Sequence, residues 1–188
     1  VAGFPALERV PQELARVREL LGGTVLQDEA FVAPRFGAAL ERGTWSVVHV
    51  ASHAQFDRDP DRTFLLAYDG RLGLQRLADF VGVSQYRAEP IELLTLSACQ
   101  TAAGDDRAAL GLAGIAVKAG ARSALAGLWF VDDAVSAELV SRFYLALRED
   151  PGASKARALQ RAQNALLADR RYRHPGYWAP YLLIGNWQ

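Results

Sequence analysis

Apolar residues along this chain follow two rhythms. Short runs without polar interruption alternate with longer stretches in which apolar positions recur every three or four residues. The first rhythm marks buried strands and the second amphipathic helices. Pro11–Leu21 places Leu14, Val17, Arg18 and Leu21 on one helical stripe, which Gly22-Gly23 ends, and a second helix is predicted over Pro34–Arg42. Trp45–Ala51 reads as a buried strand. Thr63–Tyr68 and Leu72–Leu74 flank Asp69-Gly70, a turn pair that predicts a hairpin. Ile91–Leu96 and Ser123–Trp129 are further buried strands, separated by a helix over Leu110–Ala119 that Gly120 closes. Asp132 is placed to cap a helix running to about Arg148. Pro151-Gly152 then breaks the chain, Ser154 caps another helix to about Arg170, and Tyr181–Ile184 predicts a last strand. Strands alternating with helices define an α/β domain around a mainly parallel sheet. No internal repeat or low-complexity segment interrupts the pattern.

In open α/β sheets, ligands bind outside the carboxyl ends of the parallel strands. Three predicted strands lead into residues able to do chemistry: Ser52-His53-Ala54, Ser97-Ala98-Cys99-Gln100, and Trp129 followed by Asp132 and Asp133. Parallel strands would bring all three ends to one edge. A thiol becomes a strong nucleophile as its thiolate, and an imidazole near its ordinary pKa of about 6.5 can take the proton. An attacked carbonyl also needs donors for its oxyanion. The backbone N–H groups of Cys99 and Ala54 are expected to be free for this once the strand ladder ends. Against this stand plainer readings, a small buried Cys and a structurally satisfied His.

Composition narrows the field without naming a chemistry. The 188 residues suffice for one domain with its own core, 51% are hydrophobic and 22% charged. Basic and acidic residues balance at 21 each, which argues against nucleic-acid binding. The local basic cluster Arg170, Arg171 and Arg173 reads as a solvated helix end. One cysteine allows no internal disulfide, so a cytoplasmic setting is expected. No apolar run approaches the roughly 20 residues of a membrane span, and no secretory signal is evident. With no Met present, the chain is expected to be a fragment whose parent carries a regulatory region before Val1.

His49 and His53 have the i, i+4 spacing of a helical zinc pair, but they fall in a strand, without a neighbouring Glu or a third ligand. No metal and no cofactor is expected. No phosphate-cradling Gly-rich loop and no G-x-S-x-G elbow occurs. Cys99 follows His53 by 46 positions, close to the spacing of about 50 in caspases, where the His also comes first.

Val48-His49-Val50-Ala51-Ser52-His53-Ala54, followed by Leu94-Thr95-Leu96-Ser97-Ala98-Cys99-Gln100-Thr101, resembles the CHAT-domain family of caspase-like, separase-related peptidases. Further matches keep the family's order. They are Ala119–Ser123, Leu128–Asp133, Phe143-Tyr144, Ala156–Ala165 and His174–Trp178. The resemblance implies a three-layer caspase-like fold, with helices on both sheet faces and a small hairpin insertion, in a single domain spanning 1–188. It also implies a bacterial cysteine endopeptidase with His53 and Cys99 as a catalytic dyad working through an acyl-enzyme. Its substrate would be a protein or peptide, and its regulator a tetratricopeptide-like domain or partner. His49 matches the family's non-catalytic His, expected as a core residue with a hydrogen-bonded ring. Ala54 stands where the family usually has Gly. Asp132 and Asp133 are candidates for binding a basic substrate side chain, or simply a helix cap and a first-turn carboxylate. Gln100–Ala109, which follows the nucleophile, is a candidate substrate or activation loop, or a plain solvated connection. The rival reading for the whole is a caspase-like binding or scaffold module without activity.

Overall fold

Runs of leucine, valine and alanine that cannot be satisfied in water fold here into a six-stranded sheet, buried on both faces. The computed structural model describes residues 4–56, 59–82, 89–101, 114, 117, 120–129 and 131–188, with the side chains of residues 56, 60 and 98–101 outside that description. Helices α1 (Val10–Leu21) and α2 (Ala33–Arg42) lead into strand β1 (Val47–Phe56). A hairpin, β2 (Phe64–Ala67) and β3 (Gly70–Gly73), turns at Tyr68-Asp69 and runs directly into α3 (Leu74–Gly82). Strands β4 (Leu93–Thr101) and β5 (Ser123–Gly127) follow. Then come α4 (Asp133–Glu149), α5 (Lys155–Ala168), the single turn α6 (Pro175–Trp178) and β6 (Tyr181–Gly185).

The sheet order is β3-β2-β1-β4-β5-β6. At its centre β1, β4 and β5 run parallel, while the hairpin on one side and β6 on the other are antiparallel. Alternation along the strands builds two separate cores. Val48, Val50, Leu94, Leu96, Ala124 and Ala126 face α2 and α3. Leu93 and Leu125 face α1, α4 and α5, where Phe143, Tyr144 and Leu139 are fully buried. Two helical layers around one sheet give the three-layer α/β architecture expected of a caspase-like fold.

Both predicted caps are present: Asp132 Oδ1 accepts the Ala134 N–H at 3.0 Å, and Ser154 Oγ accepts that of Arg157 at 3.2 Å. Three expectations change. On α1 the buried positions are Glu13, Val17 and Leu20, while Leu21 is exposed; the helix is turned so that a carboxylate faces inward. The two central strands are longer than predicted, because their pairing resumes at Ala54 and Cys99, beyond a bulge at Ser52-His53, instead of stopping before it. Leu74–Gly82 forms a helix that the hairpin pattern concealed. The helix predicted over Leu110–Ala119 lies mostly outside the described residues, although Gly114 and Val117 are helical.

Candidate active site

The parallel pairing of β1 with β4 decides where the chemistry can occur. Val47 to Ala51 pair one-to-one with Leu93 to Ser97, after which the register slips and Ala54 stands opposite Cys99. Ser52 and His53 have no partner in that register, so β1 carries an extra residue here. A bulge of this kind bends the strand and re-aims its side chains. Neighbouring strands lie about 4.8 Å apart. The backbone of Cys99 is therefore one strand spacing from Ala54, the residue directly after His53, at the carboxyl end of both strands. The Cys99 side chain is outside the description.

The imidazole of His53 is only 8% exposed. Its Nε2 lies 2.7 Å from the carbonyl oxygen of Pro5, and its ring packs 5.2 Å from that of Phe4. Phe4 in turn meets Phe64 of β2 edge-on at 6.3 Å, and the Arg71 guanidinium sits 4.5 Å above Phe64. A carbonyl oxygen can only accept, so Nε2 carries the proton in this contact. In the neutral ring, Nδ1 is then left as the basic nitrogen. The segment before α1 thus fixes both the orientation and the tautomer of His53. Nothing in the sequence pattern pointed to Phe4 or Pro5, because a backbone carbonyl leaves no residue-type signature.

The same segment continues to the second predicted site. The Arg9 N–H donates to Asp133 Oδ2 at 2.6 Å, at the first turn of α4. The other oxygen, Oδ1, is buried with no partner among the described residues. Burial raises the Asp133 carboxyl above its ordinary value; the Arg9 N–H opposes this, and the charges of Glu13 and Asp132 add to it. Asp132 is the exposed helix cap. Both acids thus have the structural roles weighed against substrate binding. Ala54 and Cys99 lie within paired stretches, which corrects the expectation that the ladder ends before them. Of the loop predicted over Gln100–Ala109, Gln100 and Thr101 instead continue β4, and 102–109 lie outside the described residues.

His49, on the same strand, has a different environment. Its Nε2 lies 2.8 Å from Glu13 Oε1 and its Nδ1 3.2 Å from the Tyr144 hydroxyl. This is the hydrogen-bonded core imidazole that was expected. Glu13 itself was missed; the available signal was an acid in an inward position four residues before Val17. Among the described residues no cluster of acids, His and Cys is arranged to hold a metal ion. A cavity of about 410 Å³ opens beside the first half of β1, between α1 and α2, lined by Leu14, Val17, Phe36, Leu40 and Trp45. It belongs to the opposite end of β1 from His53 and has no part in this site.

A three-layer α/β sheet with an imidazole and a cysteine on adjacent parallel strands defines a caspase-like class of protein. The chain belongs to the CHAT-domain family, whose model matches residues 2–186, and that family is related to the caspase-like cysteine peptidases. A search of curated proteins finds no match.

Proposed function

We propose that this chain is a cysteine endopeptidase in which Cys99 attacks a peptide carbonyl and His53 manages the proton. The observation that supports this best is the β1–β4 register, which puts the backbone of Cys99 opposite the residue after His53. With Nε2 donating to Pro5, Nδ1 of His53 takes the thiol proton. The thiolate forms a tetrahedral adduct, and the adduct collapses as the imidazolium protonates the leaving amine. Water, deprotonated by the same ring, then releases the acyl-enzyme. The oxyanion donor in this reading is the backbone N–H of Cys99, whose strand is paired with β1 but, among the described residues, not with β5 at that position. Ala54, paired on both sides, is set aside. Asp132 is the exposed carboxylate that would meet a basic side chain of the substrate, and Asp133 lines the same edge. The substrate is a polypeptide, and a tetratricopeptide-like domain or partner regulates access. The single thiol suits a reducing, cytoplasmic setting.

One observation favours the scaffold alternative: Phe4 and Pro5 leave His53 little exposed. The two readings separate on labelling of Cys99 by a peptidyl electrophile. The peptidase reading expects rapid labelling that falls at least about tenfold in His53→Ala, in line with general-base contributions of 10² or more. Equal labelling of both proteins would mean an accessible thiol and no dyad.

A further inference from the structure

His49 and Thr95 are register partners on β1 and β4, and each stands four residues before the residue assigned the chemistry, His53 and Cys99 respectively. The Tyr144 hydroxyl, carried in by α4 from the helical layer, meets both. It donates to Thr95 Oγ1 at 2.7 Å and lies 3.2 Å from His49 Nδ1. With its proton committed to Thr95, the phenol oxygen accepts from Nδ1–H. On the other side of the ring, Nε2 shares a proton with Glu13 Oε1 at 2.8 Å. Glu13 belongs to α1, the helix entered from the segment whose Pro5 carbonyl holds His53. One hydrogen-bonded chain therefore joins every element with a part in the proposed chemistry: the leading segment through α1, β1, and β4.

The chain is dry. The Glu13 and His49 side chains are 0% and 5% exposed, and Tyr144 is fully buried. Burial pushes the Tyr144 phenol well above its ordinary value, which keeps it a donor at working pH. Polar groups in such a place cost desolvation that an apolar packing of the same volume would avoid. What the hydrogen bonds of this buried network add is a restricted geometry, although Glu13 Oε2 has no partner among the described residues. Backbone pairing already resists a slip of β1 against β4, but the ladder is broken at the bulge, four residues beyond this chain, where the placement of His53 must be most exact.

We propose that Glu13, His49, Tyr144 and Thr95 are positioning residues that set His53 and the Pro5 carbonyl against Cys99. This rests on the peptidase reading above. None of the four touches substrate; they act by preventing displacements of the order of 1 Å, which can cost about 100-fold in rate.

The test is the pH profile of Cys99 alkylation by iodoacetamide, recorded with thermal unfolding for wild type, His53→Ala, Tyr144→Phe, Thr95→Val and Thr95→Ser. Wild type is expected to alkylate well below the pH range of an ordinary thiol, and His53→Ala within that range. Tyr144→Phe and Thr95→Val should lose about tenfold in alkylation rate at neutral pH, with profiles displaced toward that of His53→Ala. Thr95→Ser, which keeps the hydroxyl, should retain the wild-type profile. The proposal is overturned if Tyr144→Phe and Thr95→Val keep the wild-type profile, whatever happens to their melting temperatures, or if Thr95→Ser loses as much as Thr95→Val. Should Tyr144→Phe not fold, the two Thr95 variants decide. A wild-type profile coincident with that of His53→Ala would sink the dyad itself, and this proposal with it.

Discussion

His49 and His53 are four residues apart on one strand, yet the fold gives them different surroundings. The first is enclosed between a carboxylate and a phenol; among the described residues the second meets the Pro5 carbonyl and the Phe4 ring. Their environments carry separable predictions. Replacing His49 with Phe leaves Glu13 a buried carboxylate without its partner, which costs about 3–5 kcal/mol. Adding Glu13→Leu should recover most of that loss, because an apolar pair needs no counterpart; urea denaturation of the single and double variants measures both steps. Asp133 supplies a pH prediction. Burial raises its carboxyl, so the folded protein holds that proton at pH values where the unfolded chain has released it. The contribution of Asp133 is therefore most favourable below its ordinary pKa of about 3.9 and declines as the pH rises through the interval up to the raised value. Stability measured across that interval should fall less steeply with rising pH in Asp133→Asn than in wild type. Asp132→Ala removes a helix cap and should cost about 1 kcal/mol. A peptide-library profile unchanged in that variant would take away its proposed contact with a basic side chain.

Among the elements, β6 is tightly constrained at its last residue. Gly185 has φ +95°, and a Cβ added there would collide with the Arg122 carbonyl oxygen, which is backbone and cannot give way. Gly185→Ala should therefore destabilise by about 1–3 kcal/mol, read as a lowered urea midpoint with an unchanged slope. Much of this architecture was legible in the sequence. The alternation of short buried runs with helical stripes identified the central strands, the hairpin, the two capped helices and the last strand. The strand ends were misjudged because Ser52, His53, Ser97 and Cys99 look like loop residues, whereas backbone pairing between β1 and β4 resumes beyond the bulge. The α1 stripe was misjudged for a related reason: hydrophobicity ranks Leu14 above Glu13, and only the distant His49 makes burial of the acid tolerable. The candidate dyad could be read from residue type and order. The Pro5 carbonyl could not, since any residue in that conformation would supply it.

Across the whole molecule, the proposed site is assembled from parts far apart in sequence and close at one edge of the sheet. The segment before α1 touches His53 at Pro5 and α4 at Asp133, so it bridges the end of β1 and the first turn of α4. Phe4→Ala should loosen this bridge by removing the ring packed between His53 and Phe64. On the peptidase reading it should slow Cys99 labelling several-fold while costing less stability than a core truncation such as Phe143→Ala, expected at about 3–5 kcal/mol. Among the described residues no helix is long and apolar enough to cross a membrane. The balanced charge gives no general attraction for polyanions. The most direct measurement is sequencing of the new chain termini produced in a mixture of candidate proteins by wild type and by Cys99→Ala. A peptidase should generate a defined set of termini with wild type that Cys99→Ala does not generate. The same termini from both proteins, or none from a wild type whose Cys99 labels rapidly, would contradict proteolysis by this pair.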